Sequence, residues 1–192
     1  VDADDLMLQL TEMAKNEIVE KGRDNELDDV DKTAHDIALG ALNYYMLQFD
    51  PTKDITFNPQ ESLSFTGNTG PYLQYMGARI CSILRKTESS GVKLSNSVDF
   101  SLLTHPAEWA LIKALGEYPE TLKRAAENLD PSGVAAYVYE TAKLFSKFYQ
   151  TCSIVNAGDA KLAGARLYLA QCTLQVIKNA MNLVLVPYLE KM

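Results

Sequence analysis

The sequence predicts an all-α protein built as a helical bundle. Apolar residues recur at helical spacing through most of the chain, and strand-like alternation is confined to a short segment around Ile55 and Phe57. Apolar residues make up 47% of the 192 residues, which excludes general disorder. No apolar run approaches the roughly 18 residues that a membrane span needs, so we expect no membrane partner.

Cap and periodicity signals give the order of the helices. Acidic residues open a helix at 2–21, where they complement the helix dipole, and a polar break separates it from a second helix at 30–47. An extended connector follows at 50–59. Later helices are expected at about 71–86, 106–117, 119–129, 134–152 and 162–183, with loops at 87–96 and 153–160.

The same patterns predict which side chains are buried. Thr104 or His105 should cap the helix that Pro106 opens, and Asn179 should form a hydrogen bond between helices. Three sets of side chains should point into the bundle: Leu73, Met76, Ile80 and Leu84 in one helix, Trp109, Leu111, Ile112 and Leu115 in the next, and Leu162, Ala165, Leu169, Cys172, Val176, Ala180 and Leu183 in the last.

Charge is distributed unevenly along the chain. Residues 1–61 contain 5 Lys/Arg and 15 Asp/Glu, a net charge of −10, whereas residues 62–192 contain 13 and 10, a net charge of +3. The second part could therefore meet phosphate through local charge although the whole chain is at −7. A value of +3 is also ordinary for a segment of this length, so the division alone decides nothing.

The loop that precedes the helix at 71–86 is rich in turn and cap residues. Gly67 and Gly70 permit positive φ, while Asn68 and Thr69 can bond local backbone groups. Pro71 suits the first position of a helix, where its missing N–H costs nothing.

The helix itself carries two tyrosines and two cations on one side. Tyr72, Tyr75, Arg79 and Lys86 fall within roughly 60° of one another at 100° per residue. Such a set could stack on unstacked bases and hold phosphate. From spacing alone, a more common arrangement is that both tyrosines lie at the edge of the core with their hydroxyls in water.

Catalytic and metal-binding patterns are scarce. The three cysteines are far apart and fit small buried residues of a reducing compartment, and two distant histidines make a zinc site improbable. There is no phosphate-binding Gly-rich loop and no nucleophile motif. We therefore expect no catalytic residue, no metal and no cofactor in this chain. Its start has no signal-peptide features and is typical of a cut within a longer chain.

Residues 64–86 closely resemble a segment of arginyl-tRNA synthetases, and the phrase at 53–65 matches the residues that precede it in that family. The resemblance extends along the whole chain. Two departures stand out: Thr66 replaces an acidic residue, and Met76 with Gly77 replaces the usual Ala-His. The family's nucleotide motifs, a His-x-Gly-His-like run and a Lys-Met-Ser-Lys-like run, are absent.

The resemblance implies a division of the chain and its partners. Residues 1–61 would be the helical tail of the catalytic part, and residues 62–192 the anticodon-binding helical domain of the DALR type. The parent enzyme would be a cytoplasmic class I arginine–tRNA ligase that uses ATP with magnesium. Expected partners are arginine tRNA and the catalytic domain of the same chain, and not DNA.

The resemblance also assigns site residues. The anticodon-binding residues would be Tyr72, Tyr75, Arg79 and the terminal Met192. A supporting RNA loop would consist of Phe65, Thr66, Gly67, Asn68 and Thr69.

Two hypotheses remain at this point. The chain either recognises arginine tRNA within a ligase, without catalysing by itself, or is a helical protein-interaction module that binds no RNA. A positive surface around Arg79, Arg85 and Lys86 beside the tyrosines would favour RNA. A large exposed apolar patch would favour the interaction module.

Overall fold

The computed structural model describes residues 2–92 and 98–192, and within them the chain forms helices and turns without a strand. This confirms the all-α prediction. Short 3₁₀ turns lie at Asp24–Glu26 and Phe100–Leu102. The α-helices of the described residues are α1 (Ala3–Glu20), α2 (Val30–Leu47), α3 (Pro59–Ser62), α4 (Gly70–Ser89), α5 (Pro106–Gly116), α6 (Tyr118–Asn128), α7 (Ser132–Thr151) and α8 (Ala160–Leu183).

Side-chain caps fix where several helices begin. Asp29 accepts from the Lys32 amide at 2.9 Å at the start of α2, and His105 accepts from the Ala107 amide at 3.1 Å at the start of α5. His105 is therefore the predicted cap of that helix. Helix α4 extends to Ser89, three residues further than expected, and residues 93–96 of the predicted loop lie outside the described part of the chain.

The buried side chains form two clusters. The larger one lies among α4, α5, α7 and α8 and includes Ile80 and Phe145. The smaller one lies between α1 and α2, and it also takes Leu63 and Leu189 from the second part of the chain. Contacts therefore cross position 61, where the sequence suggested a boundary between two units.

Helices α2 and α4 pack with almost no space between their backbones. A Cβ added at Gly70 would lie 2.1 Å from the carbonyl oxygen of Gly40, and one added at Gly40 would lie 2.8 Å from Nε2 of Gln74, so neither position tolerates a side chain without a shift. The buried Gln74 amide donates to the Asp36 carbonyl of α2 at 2.8 Å and to the Pro187 carbonyl at 2.9 Å. Among the two loop glycines, Gly67 has positive φ, at +87°, and Gly70 is required for close packing instead.

The predicted core of α5 was wrong at Trp109, which is 52% exposed. Its place facing the bundle is taken by Glu108, which is fully buried and accepts from Arg166 Nε at 2.6 Å. The second Glu108 oxygen accepts from the His105 amide at 2.8 Å. Because this ion pair occupies the inward arc with Leu111, the indole is left on the outer side of the helix.

Three further expectations for the helices need correction. Six of the side chains predicted to point inward are only partly buried: Leu84, Ile112, Leu115, Leu162, Cys172 and Val176. Leu183 is 51% exposed because α8 ends there and the chain turns Val184 inward instead. Asn179 is exposed and accepts from Gln175 Nε2 at 2.8 Å, so the bond that the structure shows for it lies within α8 and not between helices.

Truncation of Ile80 tests the α4 core. The side chain is fully buried, and Ile80→Ala should lower the free energy of unfolding by roughly 2–5 kcal/mol, the range for large-to-small core changes. Leu8→Ala is the control, because Leu8 is 65% exposed. Urea denaturation followed by circular dichroism measures both, and a loss below about 1 kcal/mol for Ile80→Ala would contradict the placement of this face.

Glu108→Gln tests the buried ion pair. Removing one partner of a buried pair costs about 3–5 kcal/mol, and we expect the lower end because the Arg166 side chain keeps 13% of its exposure. The control is Glu140→Gln, which breaks an exposed pair with Lys143 at 2.9 Å and should have a much smaller effect. Equal midpoints of denaturant unfolding for the two variants would show that the Glu108 pair has no special role.

Candidate nucleic-acid interface

The loop before α4 is held by its own side chains. Thr69 caps the helix by accepting from the Tyr72 amide at 3.2 Å, and its hydroxyl donates to the Ser64 carbonyl at 2.5 Å. Asn68 accepts from the Tyr44 hydroxyl and donates to Gln48 Oε1 at 3.0 Å, which attaches the loop to α2. These two polar side chains are therefore engaged within the protein, and their first role is to position the loop.

The other members of the predicted supporting loop differ in exposure. Thr66 and Gly67 are exposed at its tip, whereas Phe65 is partly buried against the α1–α2 cluster. The ammonium group of Lys21 lies 4.4 Å from the Phe65 ring centroid, a cation–π contact. Phe65 thus offers an aromatic surface beside a positive charge.

Helix α4 presents the exposed Tyr75 and the partly buried Arg79 on the same side. Tyr75 is 39% exposed, and the Arg79 guanidinium carbon lies 5.8 Å from the ring centroid of Tyr149 on α7. The ring at Tyr149 limits the positions that this long side chain can take. A partly pre-ordered guanidinium loses less conformational freedom when it binds a partner.

Tyr72 has a different environment from Tyr75. Its ring packs edge-on against Tyr139 with centroids 5.5 Å apart. Burial, followed by the neighbouring Tyr139, raises the pKa of the Tyr72 phenol, and the cations Arg79 and Lys143 oppose this. Tyr72 therefore lies at the edge of the core, the arrangement that helical spacing favoured for both tyrosines. Tyr75 faces a cavity instead.

That cavity, which we call the basic cavity, has a volume of about 490 Å³ between α4, the 3₁₀ turn after α1 and the C-terminal segment. Tyr75, Arg79 and Met192 all line it, so the structure brings three predicted site residues together. Five basic and two acidic side chains line it, a formal charge of +3: Arg23, Arg79, Arg85, Lys86 and Lys191, with Glu26 and Glu190.

Three of these cations have no carboxylate partner within 4.0 Å in the described part of the chain: Arg79, Arg85 and Lys86. Lys191 contacts Asp28 at 3.3 Å, and Arg23 lies 4.0 Å from Glu26. Most of the positive charge at the basic cavity is thus not neutralised by neighbouring carboxylates, which suits an anionic ligand.

Arg23 is a member of this site that sequence reasoning missed. Its Nη1 donates to the backbone carbonyl of Met192 at 2.9 Å and so holds the end of the chain against the residues after α1. The polar break at 22–29 has no apolar periodicity, so its pattern predicts no site residue. A lone arginine in an acidic run is a weak signal, and no local pattern links it to a residue 169 positions away.

A family model described as "DALR anticodon binding domain" matches residues 73–192, more than half of the chain. The chain belongs to this family. The match includes Tyr75, Arg79 and Met192, whereas Arg23 and the loop at 65–69 lie before it.

Curated relatives are similar to this chain over the whole of its length. It is 52% identical over 195 residues to the "Arginine--tRNA ligase" of Treponema denticola and 43% identical over 192 residues to that of Borreliella burgdorferi, covering 33% and 32% of those proteins. The chain therefore spans about one third of the length of these curated relatives, at their C-terminal end.

Solved structures are also similar to the chain over its whole length. The arginyl-tRNA synthetase of Thermus thermophilus superimposes on the whole chain with a TM-score of 0.90 at 31% identity, and that of Plasmodium falciparum with 0.86 at 26% identity. The chain covers 32% and 34% of those two proteins.

The residues of this chain carry few patterns typical of nucleotide or metal binding. The sequence lacks a Gly-rich phosphate loop, and no cluster of three or more His, Cys, Asp or Glu side chains that could hold a metal ion lies within residues 2–92 and 98–192. We assign no step of nucleotide chemistry to them. In those same ranges no helix combines the length and apolar character that crossing a membrane requires.

Proposed function

We propose that this chain recognises the anticodon region of arginine tRNA as the C-terminal part of an arginine–tRNA ligase. The observation that carries the proposal is the basic cavity: a formal charge of +3 around Tyr75 and Arg79, in a chain whose net charge is −7. Family membership and the similarity to arginine–tRNA ligases support the same conclusion.

The groups around the cavity suit an unpaired RNA loop. Sequence-specific RNA recognition mostly targets unstacked bases, which stack on aromatic rings and bond through their edges. Tyr75 provides an exposed ring, and Arg79 provides donors for a base edge or a phosphate. Arg85 and Lys86 are exposed one to two turns further along α4, where they could hold the backbone.

The roles of the other predicted site residues follow from their contacts. Met192 would close one side of the cavity, held there by Arg23, and Tyr72 would contribute by packing against Tyr139 of α7. Thr66 and Gly67 could meet RNA at the exposed tip of the loop, with Asn68 and Thr69 as its supports.

Within a whole ligase, residues 1–61 would connect the catalytic domain to the anticodon-binding residues 62–192. ATP and magnesium would act in that catalytic domain, in the cytoplasm. Because Arg23 lines the basic cavity, the connecting part also contributes to the RNA site.

The protein-interaction alternative has less support. Exposed aromatic residues do occur, for example Phe100 beside Tyr168 with ring centroids 5.6 Å apart, and Trp109. The positive surface expected of an RNA-binding protein is the stronger observation, since Arg79, Arg85 and Lys86 line one cavity together with Tyr75.

We expect the purified chain alone to form no arginyl adenylate, because neither ATP-handling motif of the resembling family occurs in the sequence. Arginine-dependent exchange of pyrophosphate into ATP measures this, with buffer as the blank and an intact arginine–tRNA ligase as the positive control. Exchange above the blank would overturn the assignment of catalysis to the rest of the enzyme.

Tyr75→Ala should weaken the binding of arginine tRNA by roughly five- to 150-fold, the effect of losing one base–aromatic stack of about 1–3 kcal/mol. The loss should change little with salt because no charge is removed. Tyr168→Ala is the matched control, since Tyr168 is also 39% exposed and lines no part of the basic cavity.

Arg79→Ala should weaken the binding of arginine tRNA in a different way from Tyr75→Ala. If Arg79 holds a phosphate, the plot of log affinity against log salt should flatten by about 0.7. If it holds a base edge, discrimination between arginine tRNA and other tRNAs should fall instead. Arg124→Ala, at an exposed position on α6, is the control for charge.

Equilibrium binding at three salt concentrations separates these outcomes. If both Tyr75→Ala and Arg79→Ala bind arginine tRNA with wild-type affinity, the RNA-binding surface is not at these residues. That result would favour the protein-interaction alternative.

A further inference from the structure

The supporting loop of residues 65–69 is attached to α2 through the buried side chain of Tyr44. This side chain has no exposed surface, and its hydroxyl lies 2.5 Å from Asn68 Oδ1 and 2.9 Å from the Ala135 carbonyl oxygen of α7. Gln48, the residue that caps the end of α2, accepts from Asn68 Nδ2 at 3.0 Å. Both ends of the Asn68 amide are therefore held from α2.

We propose that Tyr44 is a positioning residue for RNA binding: through Asn68 it holds the supporting loop in the place where the exposed tip of that loop meets RNA. The inference rests on the proposed function. It places a determinant of RNA affinity in α2, outside the residues that the family model matches. Tyr44 itself is buried and touches no RNA.

The supporting loop is fixed on both sides of its tip. Before the tip, Phe65 packs against the α1–α2 cluster. After the tip, Asn68 bonds to Tyr44 and Gln48. The hydroxyl of Thr69 donates to the Ser64 carbonyl and its oxygen caps α4, so those bonds close the loop on itself and do not tie it to α2. The Tyr44 bond thus decides how firmly the second side is held.

The Tyr44 hydroxyl has one hydrogen and two neighbouring acceptors. Neither the Asn68 Oδ1 atom nor the Ala135 carbonyl can donate, so the hydrogen bonds to one of them at any moment. Burial, followed by the nearby Tyr139 and Glu140, raises the pKa of the Tyr44 phenol, so the hydrogen is retained at neutral pH. When Asn68 moves away, the hydrogen turns to Ala135 and no buried donor is left unpaired.

Because of this second acceptor, the attachment of the loop is separate from the stability of the bundle. Ala135 is fully buried within α7, so its place does not depend on the loop. Asn68 is exposed, and its amide meets water when it leaves Tyr44. Detachment therefore hardly changes the free energy of unfolding. It frees the tip at Thr66 and Gly67, and ordering the tip again when RNA binds lowers the affinity.

The test compares two neighbouring tyrosines of α2. Tyr44→Phe removes the hydroxyl and keeps the ring that fills the core. Tyr45→Phe is the matched control, since Tyr45 is also buried and its hydroxyl donates to the Thr56 carbonyl of the connector at 3.0 Å, not to the supporting loop. Asn68→Ala removes the same Tyr44 bond from the exposed side.

The probe is the anticodon stem-loop of an arginine tRNA, measured by equilibrium binding. Tyr44→Phe and Asn68→Ala should each weaken its binding roughly two- to tenfold, the range for one hydrogen bond, while Tyr45→Phe binds like the unaltered chain. The double variant should be no weaker than Asn68→Ala alone, because both changes remove the same bond.

Two further measurements distinguish positioning from a role in the core. Amide hydrogen exchange of residues 64–69 should be faster in Tyr44→Phe and Asn68→Ala than in Tyr45→Phe, and the urea midpoint of Asn68→Ala should equal that of the unaltered chain. A role confined to the core would instead leave the exchange of the loop unchanged, and that result would overturn the inference.

The binding outcomes separate this inference from the proposed function. If Tyr75→Ala weakens binding while Tyr44→Phe binds as tightly as Tyr45→Phe, only this inference fails. It also fails if the losses of Tyr44→Phe and Asn68→Ala add in the double variant. If the unaltered chain binds neither the stem-loop nor whole arginine tRNA, the proposed function fails with it. Should Tyr44→Phe lose its helical circular dichroism, Asn68→Ala decides by the same comparison.

Discussion

The position of α4 depends on one constraint, the contact of its first turn with α2. Gly70 meets Gly40 with no side chain between them, and the buried Gln74 amide bridges α2 to the C-terminal segment. Because the approach is so close, α4 can shift or rotate very little. This close contact fixes the directions of Tyr75 and Arg79, and a side chain at Gly70 would push α4 away from the α2 backbone and move the whole face.

The C-terminal segment depends on the same helix. A Cβ added at Gly77 would lie 2.9 Å from the Tyr188 ring, so the small residue at 77 makes room for that ring. In the resembling family a histidine usually stands there, and its side chain could not enter this space unless Tyr188 moved. Met192 is carried on the same segment and is held by Arg23. The shape of the basic cavity is therefore determined by three distant parts of the chain.

The sequence predicts features that depend on neighbouring residues and misses those that depend on distant ones. The helices and the cap at His105 follow from local chemistry, and the Tyr75–Arg79 pair follows from helical spacing. The inward position of Glu108 could not be predicted, since its partner Arg166 is 58 residues away, and Trp109 was wrongly placed inside for that reason. Arg23 was missed in the same way.

The acidic first part of the chain also affects how a polyanion approaches the protein. A negative field over α1 and α2, with −10 in residues 1–61, repels phosphates from most of that side, whereas the basic cavity attracts them. At 0.1 M salt these charges act over about 10 Å from the surface. They would therefore orient the proposed RNA partner before any contact forms. Repulsion of this kind discourages misdirected encounters and favours productive collisions more than it tightens the final complex.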